Sequence, residues 1–306
     1  MKQAYEDMSG KIIGGLEAGG TKMVCGISDT AGVMQSRILI PTTTPEETIP
    51  HMIDYFKKWK IEALGIGCFG PIDLNKKSPT YGTIMRSPKK EWSGFNIVRA
   101  FEDALHVPIG LDTDVNGAAL GEVTMGAAKG CDTALYITIG TGVGVGVYCN
   151  GALVHGLVHP EGGHILIQKR TDDTFEGCCS RHPNCVEGLA SGVAIAKRWG
   201  KKADQLADQP LVWEMEADYV AQAIANYILM YSPQKIVLWG GVMHRKELFP
   251  MIRERVQKLL NGYVCHSQIE TDIDHYIVTP GLGENAGLTG AVLLGVLALK
   301  GDGYVI

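Results

Sequence analysis

Lys11-Ile12-Ile13-Gly14-Gly15-Leu16-Glu17-Ala18-Gly19-Gly20-Thr21-Lys22-Met23-Val24-Cys25-Gly26-Ile27 is an apolar run, a glycine turn and a second apolar run. The pattern reads as two strands, Ile12 to Glu17 and Met23 to Ile27, joined across Gly19-Gly20-Thr21-Lys22. A third strand, Val33 to Ile40, follows the Gly32 turn, then a helix from Pro45 to Lys60 and a strand from Ala63 to Gly67. The opening returns at Ala134: Leu135 to Ile139, the turn Gly140-Thr141-Gly142, Val143 to Tyr148, the turn Asn150-Gly151 and a further strand from Ala152. A meander that occurs twice predicts a duplicated α/β fold, each half with its own glycine turn.

At 306 residues the chain exceeds the size at which a single core stops growing, so two lobes with a cleft are expected. The reading divides the chain into a mobile extension (residues 1–10), an N-terminal lobe (11–120), a C-terminal lobe (121–284) with a loop at 159–188, and a helix (285–306) packing back on the first lobe. A strand Val107 to Leu111 precedes a helix from Gly117 to Ala128. Later helices are expected at Gly188 to Trp199, Trp213 to Tyr231, Lys246 to Leu260 and Asn285 to Leu299, with a buried strand Lys235 to Leu238.

A net charge of -5, from 28 basic and 33 acidic side chains, argues against a nucleic-acid surface. No apolar run reaches the roughly 18 residues of a membrane span, and the polar, acidic N-terminus is unlike a secretory signal. A cytoplasmic protein is expected, with its eight cysteines outside any disulfide framework. Cys25, Cys68, Cys131, Cys149 and Cys265, in or beside apolar segments, read as buried thiols. The 39 glycines collect at strand-to-turn junctions, which suggests backbone that approaches a ligand.

Gly19-Gly20-Thr21-Lys22 lets backbone N–H groups converge on an anion with a lysine beside them, although ordinary hairpins also use such turns. Gly140-Thr141-Gly142 repeats the chemistry, and Gly240-Gly241-Val242 adds a third glycine turn after an apolar strand. Three such turns favour a nucleotide, by a route that is neither the Walker pattern nor the dinucleotide fingerprint. Asp114 stands at a strand-to-helix junction. It reads either as the helix N-cap or as a general base that takes the proton of a sugar hydroxyl attacking a γ-phosphoryl group.

His164, Cys179, His182 and Cys185 offer two nitrogens and two sulfurs, a set that closes a tetrahedral structural Zn²⁺ site. The alternatives are plain loop residues or a disulfide, and the spacing Cys-x-x-His-x-x-Cys favours the metal. Cys178, beside Cys179, is a second candidate thiol. Glu161 and Glu187 flank the ligand set, so a metal-closed loop would fix two carboxylates able to accept hydrogen bonds from vicinal sugar hydroxyls.

In these motifs the chain resembles the ROK family of sugar kinases and regulators, within it the zinc-containing bacterial fructokinases. The resemblance runs from Lys11 to about Ala298. It is carried by Glu17 to Lys22, Phe69-Gly70-Pro71, Ser87-Pro88-Lys89 with Trp92, Thr113 to Asn116, Ile139 to Gly142, His159 to His164, Cys179 to Cys185, and Glu187-Gly188-Leu189-Ala190-Ser191-Gly192. It implies a two-lobed actin-like ATPase fold of the ribonuclease H-like class, ATP and Mg²⁺, a homodimer, and transfer to the 6-hydroxyl of fructose. Carried over, Asp114 resembles the family's base, and Thr113, Asn116, Glu161, His164 and Glu187 its sugar-side residues. Gly19, Gly20, Thr21, Lys22, Thr141, Gly142, Gly240, Gly241, Val242, Met243 and His244 match the ATP side. Glu17 stands where many members have Asp, a longer carboxylate that reaches Mg²⁺ through water. Thr113 stands where glucokinase-type members have Asn, which favours fructose over glucose. The competing readings are a glucokinase, mannokinase or N-acetylhexosamine kinase, and a sugar-responsive regulator. The regulator requires a helix-turn-helix, for which about ten residues before the first strand are too few.

Overall fold

A computed structural model of the chain describes residues 10–87 and 89–301. The expected extension Met1 to Gly10 lies outside the described residues apart from Gly10, and so does Pro88.

The first sheet contains β1 (Ile12–Ala18), β2 (Lys22–Asp29), β3 (Met34–Pro41), β4 (Ala63–Cys68) and β5 (Ile109–Thr113), in the order β3-β2-β1-β4-β5. β1 pairs antiparallel with β2 and parallel with β4, and β4 pairs parallel with β5. The second sheet contains β6 (Ala134–Ile139), β7 (Val143–Cys149), β8 (Ala152–Leu153), β9 (Lys235–Trp239) and β10 (Ile277–Val278), in the order β10-β9-β6-β7-β8. β6 pairs antiparallel with β7 and parallel with β9, which pairs parallel with β10. Strand for strand this is the first plan again, so the duplication expected from the two meanders is present.

Helix α1 (Pro45–Trp59) opens on a proline, carries Glu46 and Glu47 in its first turn and Lys57 and Lys58 in its last, and stops at Lys60 in the left-handed region (φ 49°). Each choice suits the helix dipole and its unpaired ends. Ile49, Met52 and Phe56, spaced to share one face, bury against the first sheet's core with Leu16, Met23, Ile66 and Phe101 of α2 (Ile97–Leu105).

The chain forms two compact units. One comprises the described residues to Lys129, Gly151–Pro160 and the stretch from Gly281; the other comprises Gly130–Asn150 and Glu161–Pro280. The crossing therefore falls after Lys129, beyond residue 120 and within the Gly121 to Gly130 stretch in which the sequence places the join of the lobes. The helix expected to start at Gly117 starts earlier, as α3 (Asp114–Met125), and continues past residue 120 before the chain turns at Gly126.

The predicted helix Gly188 to Trp199 is two helices, α4 (Val186–Ala190) and α5 (Gly192–Trp199). Ser191 divides them: it is extended, and its hydroxyl accepts from the Ala194 amide as the N-cap of α5. Beyond them lie α6 (Pro210–Tyr231), α7 (Leu248–Leu260), the short α8 (Ser267–Glu270) and α9 (Ile273–Tyr276), and α10 (Ala286–Lys300).

α10 packs on α3 and on β1, β4 and β5, at backbone contact. A methyl group at Gly290 would come 1.6 Å from the Gly117 carbonyl oxygen, and one at Gly65 would come 1.7 Å from that of Ala291. These glycines serve helix packing, not ligand approach. Cys25 and Cys68 are buried as expected, Cys131 and Cys149 are half-buried, and Cys265 is exposed because it follows the polar turn that ends α7. No described helix is long and apolar enough to cross a membrane.

Candidate functional site

In the first unit, Gly19 closes the β1–β2 turn with its amide on the Lys22 carbonyl at 3.1 Å. A Cβ there would stand 2.7 Å from that same oxygen, so the turn needs glycine. The Thr42 hydroxyl holds the Gly19 carbonyl from the other side at 2.7 Å, and Thr21 and Lys22 are exposed. Glu17, at the end of β1, is pushed up to about 7 by burial and then by the charge of Asp114, with Lys22 and Arg37 pulling the other way.

Asp114 is the first residue of α3, and the N-cap is Thr113, whose Oγ1 accepts the Asn116 amide at 3.1 Å. The N-cap reading of Asp114 is thereby corrected: the residue before it already fills that position, since a hydroxyl on an extended residue reaches the amide three places on. The Asp114 Oδ1 lies 2.9 Å from the Val115 amide, within the first turn, where the helix dipole favours an anion. Asn116 is buried, and its Nδ2 donates to Asp112 at 2.8 Å.

In the second unit, Glu161-Gly162-Gly163-His164 makes a single 3₁₀ turn, the His164 amide bonding the Glu161 carbonyl at 2.9 Å. The two glycines let this turn lie on β7. A methyl group at Gly163 would come 1.9 Å from the Val143 carbonyl oxygen, and the Tyr227 hydroxyl donates to the Gly162 carbonyl at 2.7 Å. Glu161 at the head of the turn is exposed.

His164 meets Cys179, His182 and Cys185, their ligand atoms all within 4.8 Å of one another. The Cys179 and Cys185 sulfurs stand 3.8 and 3.6 Å from His164 Nδ1. Bond lengths of about 2.05 Å to nitrogen and 2.3 Å to sulfur separate tetrahedral ligand atoms by about 3.3–3.8 Å, and a nitrogen from a sulfur by about 3.6 Å. The cluster therefore has the donor set of a tetrahedral metal site, and its two His164–sulfur distances match one. Cys178 is excluded from it: its sulfur lies 3.6 Å from the Glu187 carbonyl oxygen and 3.5 Å from the Ser191 hydroxyl.

Cys185 also caps α4, accepting the Gly188 amide, and thereby places Glu187 in the helix's first turn. The Glu187 Oε2 accepts the Val143 amide at 3.1 Å, directly beside Gly142 of the second glycine turn. A Cβ on Gly142 would come 2.5 Å from that oxygen, and the Gly192 amide holds the Gly140 carbonyl at 2.7 Å. The metal loop and the Gly140-Thr141-Gly142 turn are thus stapled together. Gly240, at φ +103° with its Cα against the Ile139 backbone, begins the third turn, Gly241–His244. The rings of Trp239 and His244 meet edge to face at 5.0 Å.

The ROK family matches residues 13–296. The chain belongs to the ROK family. It is 43% identical to a fructokinase of Pediococcus pentosaceus, over 94% of this chain and 99% of that protein. It is 41% identical to a fructokinase of Zymomonas mobilis subsp. mobilis, over 94% and 97%. The structure of a ROK hexokinase from Thermus thermophilus superposes with a TM-score of 0.78 at 26% identity, covering 95% of this chain and 100% of that one. The two sheets are accordingly those of the actin-like ATPase fold of ROK kinases.

Two residues of this ROK chain that sequence reasoning passed over belong with the Asp114 turn. Asp112 is wholly buried on β5, accepts the Thr113 amide at 2.7 Å, and receives His155 Nε2 at 2.8 Å. A carboxylate at the end of the apolar run Ile109-Gly110-Leu111 was the available signal for the first. Nothing local in the sequence pairs it with His155, which stands 43 residues away.

Proposed function

We propose that this chain is an ATP-dependent fructokinase, moving the γ-phosphoryl group of ATP to the 6-hydroxyl of D-fructose. The observation that carries the reading is identity of 41–43% to fructokinases along nearly the whole of both chains.

Asp114 is the base in this reading. Thr113, not Asp114, caps α3, and the Asp114 carboxylate takes the proton as the sugar oxygen attacks phosphorus. Lys22 and the turn amides that follow Gly19 and Gly140, whose own amides close the turns, neutralise charge on the phosphates. Mg²⁺ when bound would offset charge on the phosphates, and Glu17 is the carboxylate that would hold it in this reading. Thr141, Gly142 and Gly240 to His244 line the nucleotide side, and Glu161 and Glu187 accept sugar hydroxyls. Asn116 and Thr113 act one step back, since their polar groups are engaged within the α3 turn. His164 holds Zn²⁺ with Cys179, His182 and Cys185, a closed set without a position for substrate.

The test is ADP release from Mg-ATP against fructose, mannose, glucose and N-acetylglucosamine, with metal analysis of the same sample. Turnover led by fructose with about one zinc per chain is expected. Turnover led by another hexose moves the substrate, and none with any sugar withdraws the reading. Asp114→Ala is expected to abolish turnover while fructose and ATP still bind by calorimetry. The resemblance also carries a homodimer, for which light scattering should give twice the 33.0 kDa chain mass.

A further inference from the structure

Asp112 gathers three donors around one carboxylate. Oδ1 accepts the Thr113 amide at 2.7 Å and Asn116 Nδ2 at 2.8 Å, and Oδ2 faces His155 Nε2 at 2.8 Å. Its side chain has no exposure, whereas that of His155 is 27% exposed. A carboxylate buried so completely keeps its charge and orientation only with a partner that holds it. Burial works against the charged form of His155, and the hydrogen bond and charge of Asp112 outweigh it, so the imidazole stays protonated to higher pH than usual.

Thr113 and Asn116 are the two ends of the capping bond that starts α3, and Asp114 lies between them. We propose that His155 is a positioning residue for phosphoryl transfer: its ion pair with Asp112 locks the Thr113–Asn116 turn and so aims the Asp114 carboxylate. The inference rests on the reading of Asp114 as base. It differs from a simple anchoring role for the segment Gly151–Pro160, which continues into Glu161 on the sugar side. Loss of an anchor would appear in fructose binding, and loss of base alignment would appear in turnover.

The experiment is steady-state kinetics with fructose and Mg-ATP on the unaltered enzyme and on His155→Leu, His155→Gln, Asp112→Asn and Asp114→Ala. His155→Leu and Asp112→Asn should lower kcat on the order of 10- to 100-fold, the scale of a small misplacement of a reacting group. Both KM values should stay within about 3-fold. His155→Gln, which keeps an N–H donor, should recover most of the loss. A kcat near wild type in His155→Leu or Asp112→Asn, equal losses in the Leu and Gln variants, or a loss confined to the KM for fructose would each overturn the inference. Histidine ring nitrogens followed by NMR in the unaltered enzyme give a reading that no folding failure removes. Nε2–H retention with a midpoint above 6.5 is expected, and a ring already neutral below 6.5 overturns the ion pair. Asp114→Ala separates the two readings: surviving turnover withdraws the base, whereas an inactive Asp114→Ala beside a wild-type-like His155→Leu withdraws only the role of His155.

Discussion

At the scale of single residues, Thr113 and Asp114 share a junction and divide its work. Thr113→Ala removes a cap and should cost about 1 kcal/mol of stability by urea unfolding, with kcat falling as well because the turn that holds Asp114 loosens. Glu17 offers a second test, through pH. Its folded value, about 7, lies above the ordinary 4.5, so the folded state binds the proton more tightly than the unfolded one. The stabilisation is complete below 4.5 and is lost as pH rises through about 7. Glu17→Gln imitates the protonated side chain. Its melting temperature relative to wild type should therefore rise between these two pH values, by the equivalent of at most about 3 kcal/mol and less where solvent reaches the group. A constant difference across that range would show that burial does not hold the proton.

At the scale of elements, α10 lies against α3 through glycines on both. Gly290→Ala in a free helix would gain about 1 kcal/mol of propensity. Here the new methyl meets the Gly117 carbonyl oxygen at 1.6 Å, backbone against backbone, and overpacking of about 1–3 kcal/mol or more dominates. Net destabilisation in urea is expected, and a neutral result would mean the helices separate easily. The metal loop makes the complementary case. Glu161 and Glu187 ride directly on the loop that the Cys and His ligands close, whereas the Gly140-Thr141-Gly142 turn is reached through the Glu187–Val143 and Gly192–Gly140 bonds. Chelation should therefore weaken fructose binding before ATP binding, as separate calorimetric titrations would record. Much of this was legible in sequence, because apolar runs and glycine turns specify strands locally, and the spacing of His164, Cys179, His182 and Cys185 foretold that they cluster. The break at Ser191 was passed over because Leu189-Ala190 and Val193 to Trp199 on either side of Ser191-Gly192 favour helix, and a single capping hydroxyl decides it. The packing glycines were misassigned because a glycine's partner is set by tertiary contact, not by its neighbours in the chain.

At the scale of the whole molecule, the chain passes out of the first unit after Lys129 and returns to it for good at Gly281. A join within Gly121 to Gly130 was expected, with 120 as the last residue of the first lobe. What fixes it in fact is one side chain beyond that point. Glu122, 1% exposed on α3, accepts the Ala127 amide at 2.6 Å through Oε2, and the same oxygen accepts Gly281 at 2.9 Å while Oε1 accepts Leu282 at 3.0 Å. The outgoing and returning segments are thus tied to a single carboxylate inside the first unit. Backbone amides have no rotamers with which to find another partner, and each left unsatisfied in a buried place costs roughly 1–3 kcal/mol. Glu122→Ala strands all three, so a loss on the order of 3–5 kcal/mol is expected once water satisfies part of the demand. Glu122→Gln keeps one acceptor oxygen but turns an N–H₂ toward the remaining amides, so it should recover less than half of that loss. Urea unfolding of the two variants measures both quantities. Equal, small losses would mean that the segments at Ala127 and at Gly281 and Leu282 hold their course without Glu122, by the packing of α10 alone.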